Sequence, residues 1–352
     1  MSDVEALVVG AGPAGLATAI HLVRRGVETL VIERRVPPLE KACGEGIMPA
    51  GVRALAALGV DRDALRAAPF HGVRFVEGDR AFAGRFATGV GLGVRRTRLS
   101  RALLEAAAKA GAPVRFECGL EGWEVRGSDV HVRTTQGELR ACVLIGADGL
   151  ASRVREQAGL DRPRGPRRFG MRRHFRIAPW SEYVEVHWCD SAEAYVTPVA
   201  ADEVGVALLW SADGGGYREL LARFPALARR LAHAEPSSEL RGSGPFWQRT
   251  RRRFAAGVAL VGDAAGYTDA VTGEGITLAL HCAAVLARVV AERRPLAEYE
   301  RAWRRLSRTH RAFAALLGFG VEHPRLRRAA FRALEVAPRA FEVLLRSAAG
   351  EG

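Results

Sequence analysis

Ala6-Leu7-Val8-Val9-Gly10-Ala11-Gly12-Pro13-Ala14-Gly15 runs an apolar strand into a G-x-G-x-x-G turn, and the apolar-periodic stretch from Leu16 to Arg25, closed by Gly26, predicts a helix after it. Such a turn needs glycine at three places: for the tight bend at Gly10, for close approach of a pyrophosphate at Gly12, and for helix–strand packing at Gly15. The phosphate then rests on the positive end of the helix. A second apolar strand, Thr29-Leu30-Val31-Ile32, ends on Glu33, 18 residues beyond Gly15. A carboxylate there accepts hydrogen bonds from a ribose 2′-OH and repels a 2′-phosphate, so the ligand read from these residues is FAD or NAD.

Outward from this βαβ unit, short stretches with glycine breaks fill His71 to Val90, and Arg96 to Ala110 reads as a helix with Leu99, Leu103 and Leu104 on one face. The strand Cys142-Val143-Leu144-Ile145 leads into Gly146-Ala147-Asp148-Gly149, and residues 167–210 alternate as strands do. Val258-Ala259-Leu260-Val261 then meets Gly262-Asp263 and a glycine-rich turn to Gly275, before a helix from about Ile276 to Arg293. The rest reads as helical, broken near Pro295, Pro324 and Pro338. The expected fold is α/β. A Rossmann-like FAD-binding domain is assembled from 1–70, 91–165 and 251–293, an inserted β-sheet substrate domain from 71–90 and 166–250, and a C-terminal helical segment from 294–352.

A length of 352 residues suits two domains or one composite one. With 48% hydrophobic and 26% charged residues, the chain falls outside the disordered, collagen-like and disulfide-scaffold classes. No apolar run reaches the roughly 18 residues of a membrane span and no leader is expected, so the expected compartment is the cytoplasm. Five scattered cysteines without a CxxC pair, and no HExxH, lead us to expect no metal.

The net charge is 52 − 39 = +13, carried almost entirely by arginine, since Lys41 and Lys109 are the only lysines. Between Ala291 and Arg346 there are thirteen Arg against six Glu. That field reads either as a solvated helical face or as an attractor of an acidic cofactor or an anionic surface, so peripheral membrane contact through the basic C-terminal helices is one expectation. No zinc-finger, RRM, KH or basic-zipper pattern is present, and no nucleic-acid partner is expected.

A second glycine signal lies about 250 residues beyond the first, in Val261-Gly262-Asp263-Ala264-Ala265 and Thr272-Gly273-Glu274-Gly275-Ile276. With these motifs in this order the sequence resembles the para-hydroxybenzoate hydroxylase-like FAD superfamily over about residues 5 to 290. That superfamily holds group A flavoprotein monooxygenases, flavin-dependent halogenases and geranylgeranyl reductases. The resemblance implies that Gly10, Gly12, Pro13, Ala14, Gly15, Glu33 and Arg34 hold the ADP half of FAD, and that Arg96 approaches the cofactor. It implies further that Asp148 and Gly149 form the DG motif and that Gly262 and Asp263 meet the ribityl or pyrophosphate region. Gly273, Gly275 and Ile276 would direct backbone N–H groups at the flavin ring. The loop Lys41-Ala42-Cys43-Gly44-Glu45-Gly46 resembles the Cys-Gly-Gly loop beside the flavin in geranylgeranyl reductases. Cys43 reads as a substrate or flavin contact or as an inert buried thiol, and Glu45 as an acid or a solvated side chain. Arg172, His174, His187 and Tyr195 are substrate-facing candidates by location. Cys43, Glu45 and Tyr195 are the candidate catalytic residues.

Of the Tyr-x-Trp-x-Phe-Pro motif of geranylgeranyl reductases, Ala194 to Val199 keep only Tyr195 and Pro198; the Trp-x-Trp-x-Ile motif of halogenases and the CxxxxC pair of disulfide reductases are missing. Elimination ranks a hydroxylase first. In it NAD(P)H reduces FAD, O₂ adds as a flavin hydroperoxide, and an aromatic, quinone or polyketide-type small molecule is hydroxylated. The alternatives are reduction of isoprenoid double bonds by hydride from the flavin, without O₂, and a non-enzymatic binding module.

Overall fold

The computed structural model describes residues 3–162, 167–190, 192–211, 214–267, 275–336, 341, 342 and 345. The strand Val4–Val9 is flanked in parallel by Thr29–Ile32 and Gly137–Gly146. Both of its faces are covered, which is why it reads as an unbroken apolar run. Across the sheet the order is Phe254–Ala255, Val258–Leu260, Gly137–Gly146, Val4–Val9, Thr29–Ile32, Val114–Arg115. An antiparallel arm, Leu120–Arg126 and Asp129–Thr134, pairs with the first half of Gly137–Gly146. Helices Pro13–Val23, Arg96–Lys109 and Gly275–Ala291 pack over this sheet, the first touching both others. The last helix starts and ends one to two residues before the expected bounds.

The second sheet takes its strands from the two inserted stretches, in the order Glu235–Pro236, Arg168–Arg176, Glu203–Ser211, Ala192–Ala200, Val184–Trp188, Gly72–Glu77, Arg80–Arg85. Its middle strands are buried on both faces. Ala194, Val196, Val206 and Leu208 pack against Tyr217, Leu220, Phe224 and Leu227 of two short helices. The opposite face carries Phe75, Phe82, Val186, Trp188, Tyr195 and Leu209. A third sheet of Gly46–Ile47, Gly91–Gly93 and Ala68–Phe70 joins the two, and its strands are too short to show a period. At Gly93 a Cβ would lie 1.7 Å from the Pro198 carbonyl oxygen, so only glycine lets this linker sit against the second sheet.

Helices Leu296–Glu322 and Pro324–Val336 follow, broken at Pro324 as the sequence predicts; Pro338 lies outside the described residues. The C-terminal segment is held by rings: Phe82 has its centroid 4.8 Å from that of Phe331 and 4.9 Å from that of Phe341, both nearly perpendicular. Phe82→Ala removes these edge contacts and a buried ring, an expected cost of about 3 to 5 kcal/mol. Urea unfolding checks it, with a midpoint unchanged from wild type as the contrary result.

Candidate functional site

A cavity of about 940 Å³ runs from the first glycine turn, past the Lys41–Gly46 loop, to the apolar face of the second sheet. Gly10, Gly12, Pro13, Ala14, Glu33 and Arg34 line one end. Arg96, Asp148, Gly149, Gly262, Asp263, Gly275 and Ile276 line the middle, with Cys43, Gly44 and Glu45. Tyr195 stands at the far end among Phe70, Phe75, Val186, Leu209 and Phe246.

The first turn behaves as its spacing demands. Gly10 has φ +109°, and a Cβ there would lie 2.6 Å from the Ala147 carbonyl oxygen. Gly15 does not line the cavity; a Cβ on it would sit 1.9 Å from the Gly10 carbonyl oxygen, so its role is helix–strand packing. At Gly12 a Cβ would meet nothing within 4 Å, and the helix it precedes has no side-chain cap. Free backbone N–H groups at a helix start, beside an open cradle, fit a pyrophosphate.

Glu33 is buried, its two carboxylate oxygens accepting from the backbone N–H groups of Ala11 (3.0 Å) and Arg35 (3.1 Å). These bonds fix the acid at the mouth of the turn. Glu33→Ala leaves the Ala11 N–H without its acceptor, an expected loss of about 1 to 3 kcal/mol of stability. FAD affinity should fall about tenfold or more with the lost acceptor for the ribose. Thermal melting and FAD titration of the apoprotein read the two effects, and unchanged affinity would contradict the assignment.

The second turn packs directly on the first. Gly262 has φ +65°, and a Cβ there would lie 2.6 Å from the Ala14 Cβ. Next to it Asp263 pairs with Lys41 at 2.5 Å. Behind it the fully buried Arg155 donates to the Ala264 carbonyl, the Gln248 side chain and Asp161. Burial pushes the Asp148 carboxyl above its ordinary value, partly offset by donation from the Ser152 hydroxyl and the Val154 N–H. Arg96 reaches the cavity with Nη1 buried and no hydrogen-bond partner among the described residues. A buried orphaned guanidinium nitrogen fits an absent polar ligand group. Gly273 lies outside the described residues.

Glu45 is neither solvated nor at the surface. It is 2% exposed with φ +61°; one oxygen accepts from the Arg96 N–H at 2.7 Å and the other bonds His174 Nε2. Arg172 Nη1 lies 2.9 Å from His174 Nδ1, and its Nη2 pairs with Glu40 at 3.1 Å. Thr197 donates to the Gly44 carbonyl at 2.8 Å. The Cys43–Gly46 loop is thus stitched to two strands of the second sheet. Cys43 is half-buried on the cavity wall, its sulfur accepting from the Glu45 N–H. The Tyr195 hydroxyl donates to Glu193, which pairs with Arg168 at 2.7 Å. His187 bonds Glu185 and is outside the cavity lining. Sequence reading passed over Lys41, Glu40 and Arg155; the one local signal was Lys41, one of only two lysines.

Digeranylgeranylglycerophospholipid reductase of Methanothrix thermoacetophila is 29% identical over 336 residues, covering 85% of this chain and 83% of the relative. A flavoprotein/dehydrogenase from Cytophaga hutchinsonii shares the fold with a TM-score of 0.86 at 20% identity, covering 99% of this chain and 92% of that one. PqsL of Pseudomonas aeruginosa, described as a probable FAD-dependent monooxygenase, does so with a TM-score of 0.77 at 24% identity, over 94% of this chain and 99% of that one. The family described as FAD binding domain matches residues 3–295, across both glycine turns, and the chain therefore belongs to this family of FAD-dependent oxidoreductases.

Proposed function

We propose that this flavoenzyme reduces a carbon–carbon double bond in an apolar, isoprenoid-like substrate, with NAD(P)H as the source of electrons. The observation that carries the reading is the far end of the cavity. Met48, Phe70, Val73, Phe75, Val186 and Leu209 dominate there, with the hydroxyls of Tyr195 and Tyr267, while Arg172 and Glu45 line the same cavity beside the Cys43 loop. An apolar wall of this kind holds a hydrocarbon by burial alone. A phenol that must be deprotonated before hydroxylation would find no imidazole among the described lining residues, and Glu45 there is already engaged by the Arg96 N–H and His174. The likeness to a lipid reductase over most of both chains supports the same order, placing reduction ahead of the hydroxylase that elimination ranked first.

When bound, the reduced flavin supplies a hydride to one alkene carbon. The chain's own residues hold the substrate, exclude water, and deliver the proton that the second carbon requires. We assign that transfer to the Tyr195 hydroxyl, whose hydrogen, donated to Glu193 beside Arg168, would pass to the substrate carbon. Cys43 and Gly44 line the cavity and would stand beside the flavin edge.

The same Tyr195–Glu193–Arg168 chain favours a second reading, hydroxylation of a ring whose oxygen bonds Tyr195, with O₂ as co-substrate. No helix among the described residues is long and apolar enough to cross a membrane. Exposed Leu316, Phe319 and Leu326 stand among the arginines of the last two helices, and we propose that these rest on an anionic lipid surface that delivers the substrate. Anaerobic mixing of the photoreduced holoenzyme with a geranylgeranyl lipid separates the chemistries. Reduction predicts flavin reoxidation without O₂ and a product heavier by two hydrogens; a product heavier by one oxygen, formed only in air, would establish the hydroxylase instead.

A further inference from the structure

A second cavity, of about 730 Å³, lies between the segment 247–253 and the helix Leu296–Glu322. It shares Gly262, Asp263, Tyr267, Gly275 and Ala279 with the flavin cavity, so the two adjoin at the second glycine turn. Among the described residues its charge is mostly positive. Arg162, Arg249, Arg251, Arg308 and Arg311 line it and make no carboxylate pair among the described residues. Arg253 and Arg304 also line it, and they share a single acid, Glu300. Asp263, the one carboxylate among the described lining residues, is taken by Lys41. Unpaired arginines converging on a concave site raise the local potential and cost self-repulsion that a bound anion would relieve.

The floor supplies an independent sign. The Ser307 side chain is fully buried and that of Thr250 nearly so, and both line the cavity. Neither hydroxyl has a hydrogen-bond partner among the described residues. Buried hydroxyls in water-soluble folds are satisfied unless something else supplies the partner. Hydroxyl donors under guanidinium groups match the acceptor oxygens of a phosphate, whose geometry the planar fork of arginine fits bidentately.

We infer that this cavity binds the phosphate or diphosphate group of an organic ligand, at a site distinct from the FAD pyrophosphate cradle at Gly12. The group could be carried by a dinucleotide reductant or by the head of an isoprenoid substrate; the recognition chemistry is the same. The inference rests on the flavin reading only for what the neighbouring cavity holds.

The test uses the holoenzyme and inorganic pyrophosphate, titrated calorimetrically at low ionic strength, with the double variant Arg251→Gln/Arg308→Gln beside wild type. Both arginines are exposed on the rim, so folding and FAD content, read from melting and visible absorbance, should stay at wild-type values. Saturable 1:1 binding, weakened at least tenfold in the double variant, is expected. A KM for NADPH raised at least tenfold assigns the group to the reductant, as its 2′-phosphate where the KM for NADH is unchanged and as its diphosphate where both rise. Unchanged nicotinamide kinetics with at least tenfold weaker binding of geranylgeranyl diphosphate assigns it to the substrate. Absent pyrophosphate binding in wild type, or equal binding in the variant, overturns the inference. A protein that binds pyrophosphate in this way yet takes up no FAD would overturn the flavin reading and leave this one standing.

Discussion

Gly12→Val is expected to yield a folded, colourless protein. A Cβ at Gly12 meets no protein atom within 4 Å, so the substitution creates no clash inside the fold. Its φ is −74°, a value any residue adopts, so no backbone strain arises either. The branched side chain instead fills the space over the helix start, where the pyrophosphate must approach the backbone. FAD affinity should drop by about a hundredfold or more, equivalent to about 2.7 kcal/mol of lost binding, while the melting temperature of the apoprotein stays close to wild type. Gly15→Val is the internal contrast. There a Cβ would press to 1.9 Å from the Gly10 carbonyl oxygen, so stability itself should collapse. A yellow, flavin-loaded Gly12→Val protein would show that the cradle does not face the cofactor.

Glu45→Ala is expected to be strongly destabilising through lost side-chain pairing alone. It strips the Arg96 N–H and His174 of their shared acceptor and takes away a carboxylate oxygen 3.8 Å from Arg172 Nη2. Removing one partner of a buried charged network costs about 3 to 5 kcal/mol, since the remaining groups are left without compensation. The backbone adds a control. Glu45 sits at φ +61°, so Glu45→Gly relieves about 1 to 2 kcal/mol of left-handed strain that Glu45→Ala retains. The glycine variant should therefore be the more stable of the two while still losing the network. Urea unfolding ranks the three proteins. Equal midpoints for Glu45→Ala and wild type would mean that the network holds nothing.

The parts of this site that the sequence made legible are those whose chemistry is written in the main chain. Glycines at 10, 12 and 15 demand a particular turn, and an acid at the tip of the next strand has a fixed distance to it. That two distant glycine turns would serve one ligand was legible, but that Gly262 packs directly on Ala14 was not. Side-chain pairing was illegible because nothing local names a distant partner: Lys41 with Asp263, or Glu45 with His174, joins segments more than a hundred residues apart. Alternation told which residues of Tyr183–Trp188 share a face but not which face meets the cavity, so His187 and Val186 looked alike. In the fold Val186 lines the cavity and His187 turns to Glu185. Basic helices at the C-terminus hid the fact that Leu345 reaches the cavity wall, because charge dominates their composition.

Calorimetric titration of the deflavinated protein with FAD, and in parallel with FMN, tests the claim that both turns grip one extended cofactor. The account predicts one FAD per chain and an affinity for FMN at least a hundredfold weaker, since FMN lacks the adenylate half that Gly12 and Glu33 would hold. Equal affinity for the two flavins, or no uptake of FAD, would contradict it.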